Sequence, residues 1–158
     1  MSRSNERKKS NSKAAIGSGP FMPMGLSMLK SSNLLGISPH ASKLLLDICS
    51  QWRYGHNGDV SVTWSLMQPR GWKSKETLNN SLKELREAEL IILTRQGGKN
   101  LCSLYAVGWI AIDQCRGKLD IPATAVPPIH YDGLLNFKSP ATVSVVKFRH
   151  IGAISIPA

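Results

Sequence analysis

Residues 73–89 read Lys-Ser-Lys-Glu-Thr-Leu-Asn-Asn-Ser-Leu-Lys-Glu-Leu-Arg-Glu-Ala-Glu, and residues 90–106 continue Leu-Ile-Ile-Leu-Thr-Arg-Gln-Gly-Gly-Lys-Asn-Leu-Cys-Ser-Leu-Tyr-Ala. The first half has the marks of a helix with a defined start. Ser74 suits the N-cap, where its hydroxyl accepts a backbone N–H of the first turn. Leu78, Leu82 and Leu85 recur at i, i+4 and i+7, one apolar stripe. Glu76, Asn79, Asn80, Lys83 and Glu87 fall on the opposite side at helical spacing. The second half changes period. Leu90 to Arg95 is a β-rich run, Gly97-Gly98 is a turn signal, and Leu101 to Val107 returns as the partner strand. Arg95, Gln96, Lys99 and Asn100 then sit at the tip of a short, basic hairpin.

Upstream, Arg70-Gly71-Trp72-Lys73 is a turn, and Trp64 to about Gln68 a short helix capped by Thr63 and ended by Pro69. Two helices joined by a tight Gly-containing turn make a helix-turn-helix pattern. Val60 to Thr63 alternates like a short strand after the turn His56-Asn57-Gly58-Asp59. Ser38-Pro39 is a strong helix start. Ala41, Leu44, Leu45, Ile48 and Trp52 give that helix a full apolar stripe, and Gly55 is its expected end. Its outward residues Ser42, Lys43 and Asp47 suggest no chemistry. Phe21 to Ile37 is too apolar to leave in water, and reads as an extended piece and a short helix near Leu26–Ser31 packed on the main domain. Trp109, Ile110 and Ile112 are expected to close the core.

The chain divides into a flexible basic arm over residues 1–19, a domain over 20–116 and an extension over 117–158 of uncertain structure, in which 143–148 and 153–156 are candidate strands. With 158 residues and 42% hydrophobic residues, the length and composition are those of one globular domain with a real core. Net charge is +10, and residues 1–13 carry five basic residues against Glu6. Such a balance favours polyanions, because each phosphate contact releases condensed counterions.

Three cysteines, Cys49, Cys102 and Cys115, form no Cys-x-x-Cys pair, which argues against a disulfide framework or a zinc ribbon. Cys49 and Cys102 fall on apolar faces, where a thiol is usually a small core residue. The basic N-terminus is followed by an apolar run too often broken for a signal peptide. No segment approaches a membrane span, so the chain reads as cytoplasmic. His40, His56, His130 and His150 show no metal-ligand spacing, no paired-carboxylate motif appears, and no Gly loop precedes a helix with Lys-Ser/Thr. The expectation is no enzyme, no metal and no cofactor.

The order helix, short strand, short helix, Gly turn, helix and basic hairpin resembles the winged helix-turn-helix domains of bacterial regulators and of phage or plasmid replication initiators. Phe21 to Ile37 resembles the segment those initiators place before the first helix. Ser38-Pro39-His40-Ala41 with Leu44-Leu45 resembles the start of that helix. Gly71-Trp72-Lys73-Ser74-Lys75-Glu76-Thr77-Leu78 resembles the turn and opening of the recognition helix, and Leu82-Lys83-Glu84-Leu85 with Leu90-Ile91 and Thr94-Arg95-Gln96-Gly97-Gly98 the passage into the wing. The whole, from Phe21 to Asp113, is similar to small helix-turn-helix proteins of proteobacterial prophages and mobile elements.

The resemblance implies a mainly α fold with a small β-hairpin, in the α+β class. It implies a double-stranded DNA binder, acting as a transcriptional regulator or origin-recognition factor. The residues implied in DNA contact are Arg70, Lys73, Ser74, Lys75, Glu76, Asn79, Asn80 and Lys83 around the recognition helix, and Arg95, Lys99 and Asn100 on the wing. Asn suits adenine, Lys guanine or phosphate, and Glu76 a cytosine amino group. Trp64 and Trp72 read as packing residues, and Glu84, Glu87 and Glu89 as turned away from the duplex. A homodimer and a replication or transcription protein are further partners to expect, and no membrane. The alternative from another class is a winged-helix protein-interaction module, a phage-encoded inhibitor or replication-complex adaptor, working through its apolar N-terminal segment or its tail.

Overall fold

A computed structural model describes residues 19–131; the basic arm, except its last residue, and the candidate strands at 143–148 and 153–156 lie outside the described residues. In chain order the elements are α1 (Leu26–Leu29), α2 (Ser32–Leu35), α3 (Pro39–Cys49), β1 (Val60–Ser61) and α4 (Trp64–Met67) with a 3-10 turn over Gln68–Arg70. They continue with α5 (Lys75–Glu87), β2 (Ile91–Arg95), β3 (Leu104–Val107) and a 3-10 turn over Cys115–Gly117. The described residues are therefore α+β, with five helices and a three-stranded antiparallel sheet.

The two long helices form where caps and stripes demand them. Ser38 accepts from the Ala41 N–H at 3.2 Å and Pro39 takes the first helical position of α3. Ala41, Leu44, Leu45 and Ile48 are buried on its inner face. The helix ends at Cys49, well before Gly55: the N–H groups of Gln51 and Trp52 bond back to Ile48 and Cys49 at i→i−3, which tightens the last turn and closes it. Ser74 caps α5 by accepting from the Thr77 N–H at 3.3 Å. Leu78 and Leu85 are buried against α3, and Leu82 is half-buried. Each such side chain contributes about 1.5–3 kcal/mol by leaving water. Ser81 is buried on the same face, its hydroxyl satisfied by the Thr77 carbonyl at 2.8 Å.

Of the three acidic residues at the far end of α5, Glu87 and Glu89 are exposed, and Glu84 packs on the start of α3. It is half-buried, and its carboxylate accepts from the Ser38 backbone N–H and, at 2.7 Å, from the Ser38 hydroxyl. The far end of α5 is held from the N-terminal segment, where the Asn33 amide donates to the Ala88 carbonyl at 2.8 Å.

The sheet runs β1-β3-β2, so the strand made last lies in the middle. Val60 pairs with Tyr105 and Ser61 with Leu104; Ile91 pairs with Val107, Ile92 with Ala106 and Leu93 with Tyr105. A register shift between Leu93 and Arg95 leaves Thr94 buried, donating to the Gly58 carbonyl at 2.6 Å. Asn57, in the turn before β1, is fully buried. Its amide donates to the carbonyls of Val107, Ile110 and Ala111 at 3.1, 2.9 and 3.0 Å and accepts from the Val107 N–H at 2.9 Å. One side chain thus satisfies the backbone where β3 leaves the sheet.

The N-terminal segment is only partly the buried piece its composition predicts. It forms two short helices instead of one, and Met28 and Ser31 are buried, but Phe21, Leu26, Leu29 and Leu35 are exposed. Beyond Arg116 the chain continues against the sheet as a strap. Asp120, Thr124 and Ile129 donate backbone N–H groups to Thr94, Ile112 and Gly108. Tyr131 is buried, its hydroxyl on the Glu89 carbonyl at 2.7 Å. Gly108 is required there: a Cβ would meet the Tyr131 oxygen at 2.7 Å and the Glu89 carbonyl oxygen at 2.9 Å. Cys115 is the buried cysteine, while Cys49 and Cys102 are half-buried. Among the described residues no helix is long and apolar enough to cross a membrane.

Candidate nucleic-acid interface

The start of α5 is positioned by one carboxylate that the sequence left without a role. Asp47 on α3 receives the Lys43 ammonium at 2.7 Å, the Trp72 indole N–H at 2.7 Å and the Arg70 guanidinium at 3.7 Å. Lys43 also donates to the Arg70 carbonyl at 3.0 Å and lies 5.1 Å from the centre of the Trp72 ring. Gly71 makes the corner with φ +91, open to glycine without strain. Arg70, one of the residues implied in DNA contact, is exposed, and its guanidinium lies along the surface on Asp47 and the Ser50 hydroxyl. Trp72 is buried, in keeping with its reading as a packing residue.

From Ser74 onward the outer face opens. Lys73, Lys75, Glu76, Asn79, Asn80 and Lys83 are all exposed. Lys83 has Glu87 at 3.7 Å, an ion pair so exposed that it is worth about 0.3–0.5 kcal/mol. Lys75 stands 5.7 Å from the centre of the Trp64 ring. Thr63 occupies the N-cap position of α4, but its hydroxyl pairs with that of Ser65 at 3.2 Å and makes no cap bond.

The hairpin between β2 and β3 is held by side chains more than by a ladder. Arg95 donates to the Cys102 carbonyl at 3.3 and 3.0 Å, and the Gly97 N–H donates to the Ser103 hydroxyl at 3.0 Å. Gly98 and Leu101 exchange backbone bonds at 2.9 and 3.2 Å. The corner is therefore Lys99-Asn100, with Asn100 at φ +62, instead of Gly97-Gly98. Asn tolerates this left-handed backbone better than most residues. Gly97 is needed for a different reason, since a Cβ there would come within 2.7 Å of the Ser103 nitrogen. Asp120 of the strap accepts from the Gln96 N–H at 2.7 Å, bracing the base of the hairpin.

Register brings these pieces to one end. Ser61 pairs with Leu104, the residue of β3 nearest the hairpin tip, and the chain then runs through Val62 and Thr63 into Trp64. Trp64 carries Lys75 at its ring, so the N-terminal turn of α5 lies at the hairpin end of the sheet. Among the described residues Lys73, Lys75 and Lys99 carry no ion pair, and the amides of Asn79 and Asn80 make no hydrogen bond. Arg70 and Arg95 are committed within the protein. Trp64 and Lys43 are the participants that sequence reasoning missed; an aromatic at a helix start gives no signal of a lysine reaching it from another helix.

Burial acts on two thiols among the described residues. No group of three or more His, Cys, Asp or Glu side chains there is placed to hold a metal ion. Burial pushes the Cys49 thiol up to about 12, and burial with Asp59 and Asp113 raises that of Cys115. Neither thiol is a thiolate near neutral pH. A shallow cavity of about 300 Å³ lies at the C-terminal end of α5, lined by Asn33, Ile37, Glu84, Glu87 and Ala88 among others. Compared with protein-family models, curated proteins and solved structures, the chain matches none.

Proposed function

We propose that the chain binds double-stranded DNA as a winged helix-turn-helix, as a transcriptional regulator or origin-recognition factor of a phage or mobile element. The N-terminal half of α5 enters the major groove, and the β2–β3 hairpin is the wing. The observation that supports this most is the convergence of Lys75, Trp64 and the hairpin at one end of the sheet. In the groove, Asn79 and Asn80 offer bidentate pairs to adenine, Lys83 reaches guanine or phosphate, and Glu76 accepts from a cytosine amino group. Lys73, Lys75 and Lys99 neutralise phosphates, with Asn100 beside them, and Ser74 caps the helix that carries the reading face. Arg70 and Arg95 brace the surface through their bonds to Asp47, Ser50 and Cys102. Base edges supply sequence preference, and the lysines supply affinity and its salt dependence.

The test is selection from a random duplex library at defined salt, followed by affinity measurement across salt concentrations. Enrichment of a defined site with a steep salt dependence is the expected result; no enrichment and no measurable duplex binding would sink the reading. A protein-interaction winged helix is the second reading, favoured by the exposed apolar side chains of the N-terminal segment.

A further inference from the structure

Asp47 holds two cations that stand further out than it does. Its side chain is 15% exposed, while those of Lys43 and Arg70 are 45% and 35% exposed. Each cation is tied at a second point as well. Lys43 donates to the Arg70 carbonyl at 3.0 Å and lies against the Trp72 ring, and Arg70 donates to the Ser50 hydroxyl. Arg70 stands four residues before Ser74, at most about 14 Å along the chain. The trio therefore flanks the opening of α5, where Lys73 and Lys75 carry no ion pair among the described residues. For the Trp72 indole N–H, bonded to Asp47 at 2.7 Å, a neutral oxygen would serve as well. The negative charge at this position answers only to Lys43 and Arg70.

We propose that Asp47 determines the specificity of duplex binding by withholding Lys43 and Arg70 from the phosphate backbone; this rests on the DNA reading above. A phosphate contact supplies affinity but no sequence information. A cation left free beside the reading helix strengthens binding to every duplex alike, and a chain of net charge +10 already has that term in excess. Deleting the two cations would not serve, because they tie α3 to the turn that aims α5. The carboxylate keeps both in their structural work while cancelling one of their two charges. The base contacts of α5 then make up a larger share of the binding energy, and the preference for a cognate site over other duplex rises.

Fluorescence anisotropy of the full chain tests this, with a selected duplex and a scrambled duplex of equal length over a fourfold range of salt. Asp47→Asn keeps the size of the side chain and an oxygen for the indole. It should bind the scrambled duplex more tightly at low salt, with a slope steeper by about one phosphate contact. The fourfold rise in salt should then cost it about 3.5 times more affinity than it costs the wild type. Its ratio of selected to scrambled affinity should fall. If Asp47 only shapes the turn, Asp47→Asn binds both duplexes more weakly with no steeper slope, which overturns the proposal. Asp59→Asn is the control for net charge. It removes the same charge from the pair with Lys118 at 2.6 Å, at the end of β1 away from the hairpin. Equal steepening in Asp59→Asn overturns the proposal too. Circular dichroism checks the fold, and Asp47→Ser, which also keeps an oxygen acceptor, takes the place of Asp47→Asn if that chain does not fold. Duplex binding by the wild type without steepening in the Asp47 variant overturns this proposal and leaves the DNA reading standing. No duplex binding by any of these chains overturns both.

Discussion

Glu84 of α5 closes the start of α3, accepting both the backbone N–H and the hydroxyl of Ser38. The Ser38 oxygen accepts from the Ala41 N–H at the same time, so one serine links the cap of one helix to the side of another. Removing the carboxylate strands a half-buried donor pair. Glu84→Ala should lower stability by about 1–2 kcal/mol, read as a lower urea midpoint with an unchanged slope. An unchanged midpoint would mean that water replaces the carboxylate at no cost.

Asn57 carries a heavier load, since four backbone groups at the end of β3 depend on its amide. Asn57→Asp keeps the size but turns a carboxylate toward three carbonyls. It is expected to cost more than about 3 kcal/mol and to leave little folded chain at 37 °C. Circular dichroism melts of Asn57→Asp and Asn57→Ser decide it: equal melting temperatures for both and the wild type would contradict the hub.

Gly108 and Tyr131 make a paired test of the strap. Tyr131→Phe removes one hydrogen bond and should cost about 1 kcal/mol. Gly108→Ala drives a methyl against the tyrosine oxygen and the Glu89 carbonyl and should cost more. Limited proteolysis should then cut between Gly117 and Tyr131 faster in Gly108→Ala than in the wild type.

Stability should fall at alkaline pH. Burial and Glu89 raise the Tyr131 phenol above its ordinary value of 10.0, and burial raises Cys49 from 9.0 to about 12. Both folded values lie above the unfolded ones, so the fold favours the neutral forms. Their contribution is complete below about pH 8 and declines as the unfolded thiol and then the unfolded phenol ionise. Cys49→Ala with Tyr131→Phe should flatten urea midpoints across this range; a decline of the same size in the double variant would refute the assignment.

For nucleic acid, Lys99→Ala and Lys83→Ala should each weaken binding and reduce the salt slope by about one phosphate contact. Asn80→Ala should relax sequence preference instead. Arg70→Ala, because its guanidinium rests on Asp47 and Ser50, should lower stability with a smaller effect on the salt slope. Fluorescence anisotropy at several salt concentrations separates these outcomes.

The elements legible in the sequence are those written in local code. Ser38-Pro39 and Ser74 announce helix starts through bonds to residues three places on, and the leucine stripes announce which faces are buried. The β-rich run Leu90–Arg95 likewise reads directly. What the sequence hides is tertiary hydrogen bonding. Asp47 and Glu84 look like solvated helix charges until the partner helix is in place. Asn57 looks like an ordinary turn residue because the carbonyls it holds lie some fifty positions later. The strap has no periodicity to read, since it is fixed by single backbone bonds and one tyrosine. Phe21, Leu26, Leu29 and Leu35 were expected inside, and composition alone gives no measure of how much of a short segment the domain can cover. Of the cations, helical spacing put Lys83 on the outward face and the turn signal put Lys99 at the hairpin tip, but neither could reveal that Arg70 and Arg95 are spent on neighbours.

The order β1-β3-β2 sets a timetable for synthesis. Each outer strand pairs only with Leu104–Val107, so no part of the sheet exists until that segment has left the ribosome. Until then α3 and α5 can dock through Leu44, Ile48, Leu78 and Leu85, because every residue of that contact precedes β3. Chain order thus makes the helix–helix contact available before the sheet, which cannot close until β3 is present. A nascent chain halted before Leu104 should protect the amides of α3 and α5 from exchange and leave those of Val60 and Ile91 open.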